Sequence, residues 1–268
     1  MCATCGCSDD AGVRLIAPGA EQVIEHDHSH EHGHSHGHEH GHTHEHGHEH
    51  DEQSHEARTV TLEQDVLAKN DLLAERNRGW LRGRSILAVN LMSSPGAGKT
   101  TLLERTVREF SGRELAVIEG DQETLLDAER IKTTGVPVVQ INTGAGCHLD
   151  AEMLERGLGT IDPAAGSVLF IENVGNLVCP ALFDLGEDHR AVIMSVTEGQ
   201  DKPLKYPHMF AAADLVLLNK VDLLPYLDFD VDAFVADARK VNPTVEVLRV
   251  SATTGDGLDD WYTWLRER

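Results

Sequence analysis

Ser93-Ser94-Pro95-Gly96-Ala97-Gly98-Lys99-Thr100-Thr101 follows an apolar run, Ile86 to Met92, and leads into the helix-like Thr101 to Val107. The stretch therefore stands where a buried strand turns into a helix, the setting of a phosphate-binding loop. Such a loop wraps its backbone closely around a polyphosphate with the N–H groups aimed inward. Small residues allow that approach, and the start of the following helix favours negative charge. Ser94, Gly96, Ala97, Gly98 and Thr101 build the cradle, Lys99 reaches the outer phosphates, and the Thr100 hydroxyl offers a ligand to Mg2+. One position departs from the pattern G-x-x-x-x-G-K-[ST]: Ser93 stands where it has Gly.

The first fifth of the 268 residues is of another kind. From His26 to His55 fourteen histidines alternate with Gly, Glu, Ser, Thr and Asp, without one apolar side chain. Nothing there offsets the entropy of ordering the chain. Residues 1–56 are accordingly expected to be a disordered, metal-binding tail, and residues 57–268 one domain with a sizeable core. The formal charge is −22, and both parts are acidic. That argues against a nucleic acid or an anionic membrane as partner and suits cations. No run is long enough to span a membrane and no signal peptide is evident, so a cytoplasmic location is expected. In a reducing compartment the five cysteines read as thiols or metal ligands.

Cys2, Cys5 and Cys7, with Gly6 between the last two, lie close enough in sequence to reach one soft or borderline cation. A redox C-x-x-C would need a preceding strand, which is missing. The alternating His28, His30, His32, His34, His36, His38, His40, His42, His44, His46, His48 and His50 form many interchangeable sites for Ni, Zn, Cu or Co. Such a tract holds several ions loosely, which fits storage better than catalysis.

Thr61 to Gly83 reads as a helix with Leu62, Val66, Leu67, Leu73 and Trp80 at helical spacing, packed on the flank of the domain. Beyond the phosphate loop, apolar runs at 115–118, 136–141, 168–171, 191–196, 215–218 and 245–250 alternate with helix-like segments. Such alternation predicts an α/β fold, a mostly parallel sheet flanked by helices, with ligand-binding groups at the strands' carboxyl ends. Polar signals fall at those ends. Asp121, in Glu119-Gly120-Asp121, and Glu172, in Glu172-Asn173-Val174-Gly175-Asn176, are candidates to hold Mg2+ or orient the attacking water.

Asn219-Lys220-Val221-Asp222 follows the run ending at Leu218 and resembles the N-K-x-D guanine-recognition motif of GTPases. The Asp222 carboxylate would accept hydrogen bonds from N1–H and the 2-amino group of guanine, which adenine does not present in that form. Lys220 would lie over the base, and Asn219 would tie this loop to the phosphate loop. Ser251-Ala252-Thr253-Thr254-Gly255 resembles the S-A-x-x-G loop that supports the base. Together these favour GTP over ATP. Two further cysteines lie inside the domain. Cys147 and His148 adjoin a predicted helix start, and Cys179 comes seven residues after Glu172. The three make a ligand set for Zn2+ or Ni2+ with one position open or supplied by a second subunit.

In order along nearly the whole chain, these motifs are similar to the HypB family of hydrogenase nickel-incorporation GTPases, related to UreG among the SIMIBI-class P-loop GTPases. The resemblance rests on Cys-x-x-Cys-Gly-Cys, the histidine tract, Ser-Pro-Gly-Ala-Gly-Lys-Thr-Thr, Glu-Gly-Asp, Cys-His-Leu-Asp-Ala, Glu-Asn-Val-Gly-Asn-Leu-Val-Cys-Pro, Asn-Lys-x-Asp and Ser-Ala. It implies a P-loop fold and a nickel metallochaperone that hydrolyses GTP and forms a GTP-dependent homodimer. It implies work with a HypA-type nickel chaperone on the precursor of the [NiFe]-hydrogenase large subunit. It further implies a tight nickel site at Cys2, Cys5 and Cys7, with zinc or nickel at Cys147, His148 and Cys179 near the dimer interface. The Glu172 segment stands where many GTPases have D-x-x-G, so no water-positioning residue carries over.

Overall fold

Strands buried on both faces need apolar residues at nearly every position, and the runs picked out by sequence meet that need. A computed structural model describes residues 14–16, 51–121, 126–144 and 146–268. Its strands are β1 (Arg14–Ile16), β2 (Leu87–Ser93), β3 (Leu115–Asp121), β4 (Val138–Asn142), β5 (Val168–Glu172), β6 (His189–Ser195), β7 (Leu215–Asn219) and β8 (Glu246–Arg249). They form one sheet in the order β1-β4-β3-β5-β2-β6-β7-β8, parallel throughout except for β1 at the edge. The helices are α1 (Asp51–Gly83), α2 (Lys99–Glu109), α3 (Leu126–Lys132), α4 (Ala151–Ile161), α5 (Lys202–Lys205), α6 (Pro207–Ala211), α7 (Val231–Val241) and α8 (Leu258–Arg266).

Alternate strand residues point to opposite faces and divide the core. Val89, Leu91, Val117, Phe170 and Leu217 meet α2, α3 and α8 on one face. On the other, Ala88, Ile118, Ile141 and Ile171 pack under Leu81 of α1 and Leu154 and Leu158 of α4. Further along that face Val192, Met194, Val216 and Leu218 meet Phe210 of α6 and Phe234 of α7.

Two elements extend beyond the expected boundary at residue 57. Helix α1 begins at Asp51, and Arg14–Ile16 pairs antiparallel with β4. Backbone pairing at an open sheet edge is independent of side-chain polarity, so composition does not reveal it. Of the apolar positions read in the sequence, Trp80 packs partly buried on the core and Leu67 and Leu73 are partly buried, but the most buried positions of α1 are others. Val66 is half-exposed, whereas Asn70, Ala74, Asn77 and Leu81 are buried. The amides are buried because they satisfy backbone groups across the contact. Asn70 donates to Asp184 O and accepts from Ala151 N, and Asn77 donates to Ala151 O and Leu185 O. The chain must pass close to α1 there. Gly186 has φ +90°, and a Cβ on it would lie 2.3 Å from Ala74 O and 2.8 Å from Arg78 N.

Gly186→Ala therefore meets both a left-handed backbone and a backbone clash. It should lower unfolding free energy by on the order of 3 kcal/mol, read as a reduced urea midpoint with unchanged slope.

Candidate nucleotide and metal site

Strand β2 delivers the phosphate-binding loop to the first turn of α2. Gly98 has φ +94°, and a Cβ there would meet Asn219 Nδ2 at 2.6 Å, so only glycine fits between the loop and the end of β7. Asn219 fixes the two loops to each other. Its Nδ2 donates to Ala97 O at 3.0 Å, and its Oδ1 accepts from Ala252 N at 3.1 Å. Lys220 Nζ donates to Gly96 O at 2.7 Å. Ser251 Oγ donates to Asp222 at 2.6 Å and accepts from Thr254 N. Ser93 is buried, with its hydroxyl turned back on Ser94 O. The Ser94 hydroxyl in turn donates to Glu198, which also accepts from Ser195 N.

A cleft of about 540 Å³ opens over the loop, lined by residues 93–101 together with Glu119, Gly120, Asp121, Asp127, Arg130, Glu172, Val174, Gly175 and Lys220. At its floor Lys99 Nζ lies 2.6 Å from Glu172 Oε1. Thr100 Oγ1 is 2.6 Å from the same oxygen and 3.1 Å from Asp127 Oδ2. Parallel pairing sets Glu119 of β3 beside Glu172 of β5. Burial, then the neighbouring Glu172 and Asp127 charges, push the Glu119 carboxyl up to about 9, against the pull of Lys99. Glu119 Oε2 and Glu172 Oε2 are buried without a hydrogen-bond partner. Glu172, which accepts from Thr100, and Glu119 beside Glu172 line one cleft with that hydroxyl, and their oxygens are a donor set that fits a hard divalent cation such as Mg2+. Asp121 lines the cleft as well. Sequence reasoning singled out Asp121 and did not name Glu119 as a candidate, which only the register with β5 sets beside Glu172.

A second cluster lies beyond the end of β5. Cys147, His148 and Cys179 place a donor atom each within 4.8 Å of one another, the only such His, Cys, Asp or Glu group among the described residues. Cys147 Sγ is 3.0 Å from Cys179 Sγ and 3.6 Å from His148 Nδ1. His148 stacks on Phe183 at 3.9 Å, and burial holds its pKa below the usual imidazole value, against the pull of Asp150. The neutral ring thus favoured is the ligating form. Two sulfurs and a nitrogen suit zinc or nickel.

One segment joins the two clusters. Glu172 pairs with Lys99, and Val174 and Gly175 line the cleft, Gly175 close against Pro95. Asn173, fully buried, accepts from Leu149 N and Val174 N, and its amide reaches Asn90, itself bonded to Glu187. Asn176 donates to Cys147 O, and Cys179 is itself one of the three donors. Leu149, next to His148, sits over Gly120, where a Cβ would lie 2.6 Å from Leu149 Cγ. None of the three tethers Asn173, Asn176 and Leu149 was expected from sequence. Buried amides carry no periodicity, although the densely polar Glu-Asn-Val-Gly-Asn run pointed to the region. Cys2, Cys5, Cys7 and the histidines from His28 to His50 lie outside the described residues.

A family model described as "CobW/HypB/UreG, nucleotide-binding domain" matches residues 87–249. The chain belongs to this family. It is 60% identical over 215 residues to the hydrogenase maturation factor HypB of Azotobacter vinelandii, covering 80% of this chain and 71% of that one. Among solved structures it resembles HypB from Archaeoglobus fulgidus with 42% identity and TM-score 0.70, covering 75% of this chain and 98% of that one. HypB from Helicobacter pylori, solved in complex with nickel, gives 38% identity and TM-score 0.71 over 74% and 94% of the two chains. Like other members of the CobW/HypB/UreG family, the protein has a P-loop NTPase fold, and it is a GTPase. Among the described residues no helix is long and apolar enough to cross a membrane.

The Glu119 geometry has a measurable consequence for ligand-free protein. In the folded chain Glu119 keeps its proton up to about pH 9, whereas the unfolded chain releases it near the ordinary 4.5. The folded state then binds more protons between these values, so this residue lowers stability as pH rises. Glu119→Gln should remove that slope. Its urea midpoint relative to the parent should rise steadily from pH 5 to pH 9, and a constant difference would contradict the assignment.

Proposed function

We propose that the chain is a nickel metallochaperone, in which GTP binding and hydrolysis control a metal site at Cys147, His148 and Cys179 in support of [NiFe]-hydrogenase maturation. The observation that carries this reading is the segment 172–179, which begins on the phosphate-loop lysine and ends as a metal donor. The names of the relatives and the nickel bound in the Helicobacter structure support the cargo and the process.

On this reading Ser94 and residues 96–101 hold the phosphates. Asn219, Lys220, Asp222, Ser251 and Ala252 form the base site, whose loops Asn219 already joins. Thr100, Glu119 and Glu172 would hold Mg2+, which would supply charge neutralisation at the β- and γ-phosphates, with Asp121 and Asp127 nearby. A triphosphate that claims Lys99 withdraws it from Glu172, and the strain passes along Asn173, Asn176 and Cys179 to the donor set. Zn2+ is the alternative occupant of that set. The tail of residues 1–56 would store nickel on its histidines and hold it tightly at Cys2, Cys5 and Cys7, and residues 57–268 would form the GTPase domain. A HypA-type chaperone, the hydrogenase large-subunit precursor and a second copy of the chain are the partners this role calls for, in the cytoplasm.

Two outcomes test the reading. Asp222→Ala should weaken GDP binding about 100-fold, the worth of one or two charge-assisted hydrogen bonds, and abolish the preference over ADP in competition titrations. In a host lacking its own factor, Lys99→Ala and the Cys147→Ser/Cys179→Ser pair should each abolish hydrogenase activity at trace nickel, with recovery in excess nickel. Full activity of either variant at trace nickel would remove the proposal.

A further inference from the structure

Cys147 and Cys179 come from segments 32 residues apart, yet their sulfurs stand 3.0 Å from each other. That is roughly 1 Å beyond a disulfide bond of about 2.05 Å. Both segments are fixed by contacts other than the thiols. Asn176 holds the Cys147 carbonyl and Asn173 the Leu149 amide, so the backbone is already placed for a short cross-link. The two thiols differ in access: Cys147 is partly exposed, and Cys179 is 2% exposed. A reagent from solvent reaches Cys147 first, and Cys179 is positioned only to react with what Cys147 has become.

We propose that Cys147 and Cys179 form a reversible disulfide that closes the metal site, with Cys147 the attacking thiol and Cys179 the resolving one. The oxidant is a small disulfide of the glutathione type. The Cys147 thiolate attacks one of its sulfurs, the small S–S bond breaks, and one small thiolate leaves with the electron pair. The Cys179 thiolate then attacks Cys147 Sγ, the protein S–S bond forms, and the second small thiolate leaves. Two protein thiols lose two electrons, the small disulfide gains them, and the two thiol protons pass to the released thiolates through solvent. Excess small thiol reverses both steps. The disulfide stands independently of the proposed metal role. Its consequence rests on that role: a disulfide sulfur is no longer a thiolate donor, so only the reduced chain would take metal here.

The test uses the full chain, reduced, treated with oxidised glutathione, quenched by alkylation and digested with trypsin without reduction. Lys and Arg positions place Cys147 in peptide 133–156 and Cys179 in 157–190, while Cys2, Cys5 and Cys7 fall in peptide 1–14. Mass analysis should find 133–156 linked to 157–190. Cys179→Ser should accumulate glutathione on Cys147, and Cys147→Ser should leave Cys179 unmodified. Absence of the linked pair in the parent, or prompt glutathione addition to Cys179 in Cys147→Ser, overturns the proposal. Repeating the reaction with Zn2+ or Ni2+ should slow linkage at least tenfold. Linkage at an unchanged rate would sustain the disulfide and overturn the metal reading instead.

Discussion

The contact between Lys99 and Glu172 is the constraint on which the site turns. A lysine and a carboxylate 2.6 Å apart, 12% and 1% exposed, attract strongly because little solvent screens them, and separating them would leave a buried carboxylate without its counter-charge. Lys99 belongs to the loop that would hold phosphates, and Glu172 is the last residue of β5. Whatever takes Lys99 away leaves a buried carboxylate that needs another cation. Burial and the neighbouring Glu172 and Asp127 charges hold Glu119 beside it protonated. The floor of the cleft is thus a small set of charges in which a nucleotide and a divalent cation would compete with the protein's own carboxylates and lysine.

The segment leaving Glu172 gives that competition a reach. Within eight residues the chain lines the cleft, anchors the Cys147 and Leu149 backbone through two asparagine amides, and ends in a thiol donor. The sheet is close-packed on both faces and resists continuous deformation, so a change in charge at its carboxyl edge is met most readily by such a loop. The same construction puts two thiols of unequal access side by side. Three donors that suit a borderline metal are thereby also a set that chemistry at sulfur would close.

Much of this was legible in the residues alone. The parallel sheet announced itself because strands covered on both faces must be apolar throughout. The phosphate loop, Asn219-Lys220-Val221-Asp222 and the Cys147, His148 and Cys179 set were legible because their chemistry fixes residue types at fixed places. Glu119 joins Asp121 in the cleft without having been named a candidate, since only the pairing of β3 with β5 sets it against Glu172. Asn173, Asn90 and Asn176 escaped because a buried amide has no pattern in sequence and gains its meaning from the backbone groups it meets. Part of the buried face of α1 escaped for the same reason, although Trp80 packs on the core. Asn70 and Asn77 hold the contact there that apolar side chains were expected to make.

Coupling between cleft and metal donors is the central claim, and it is a statement about free energy: each ligand must change the other's affinity by the same factor. Nickel affinity and release rate of the full chain carrying Cys2→Ser, Cys5→Ser and Cys7→Ser should be measured with GDP and with a non-hydrolysable GTP analogue. Affinities at the Cys147 site should differ by about fivefold or more between the two forms, a difference lost in Asn173→Ala. Equal affinities and equal release rates in both nucleotide states would contradict the coupling.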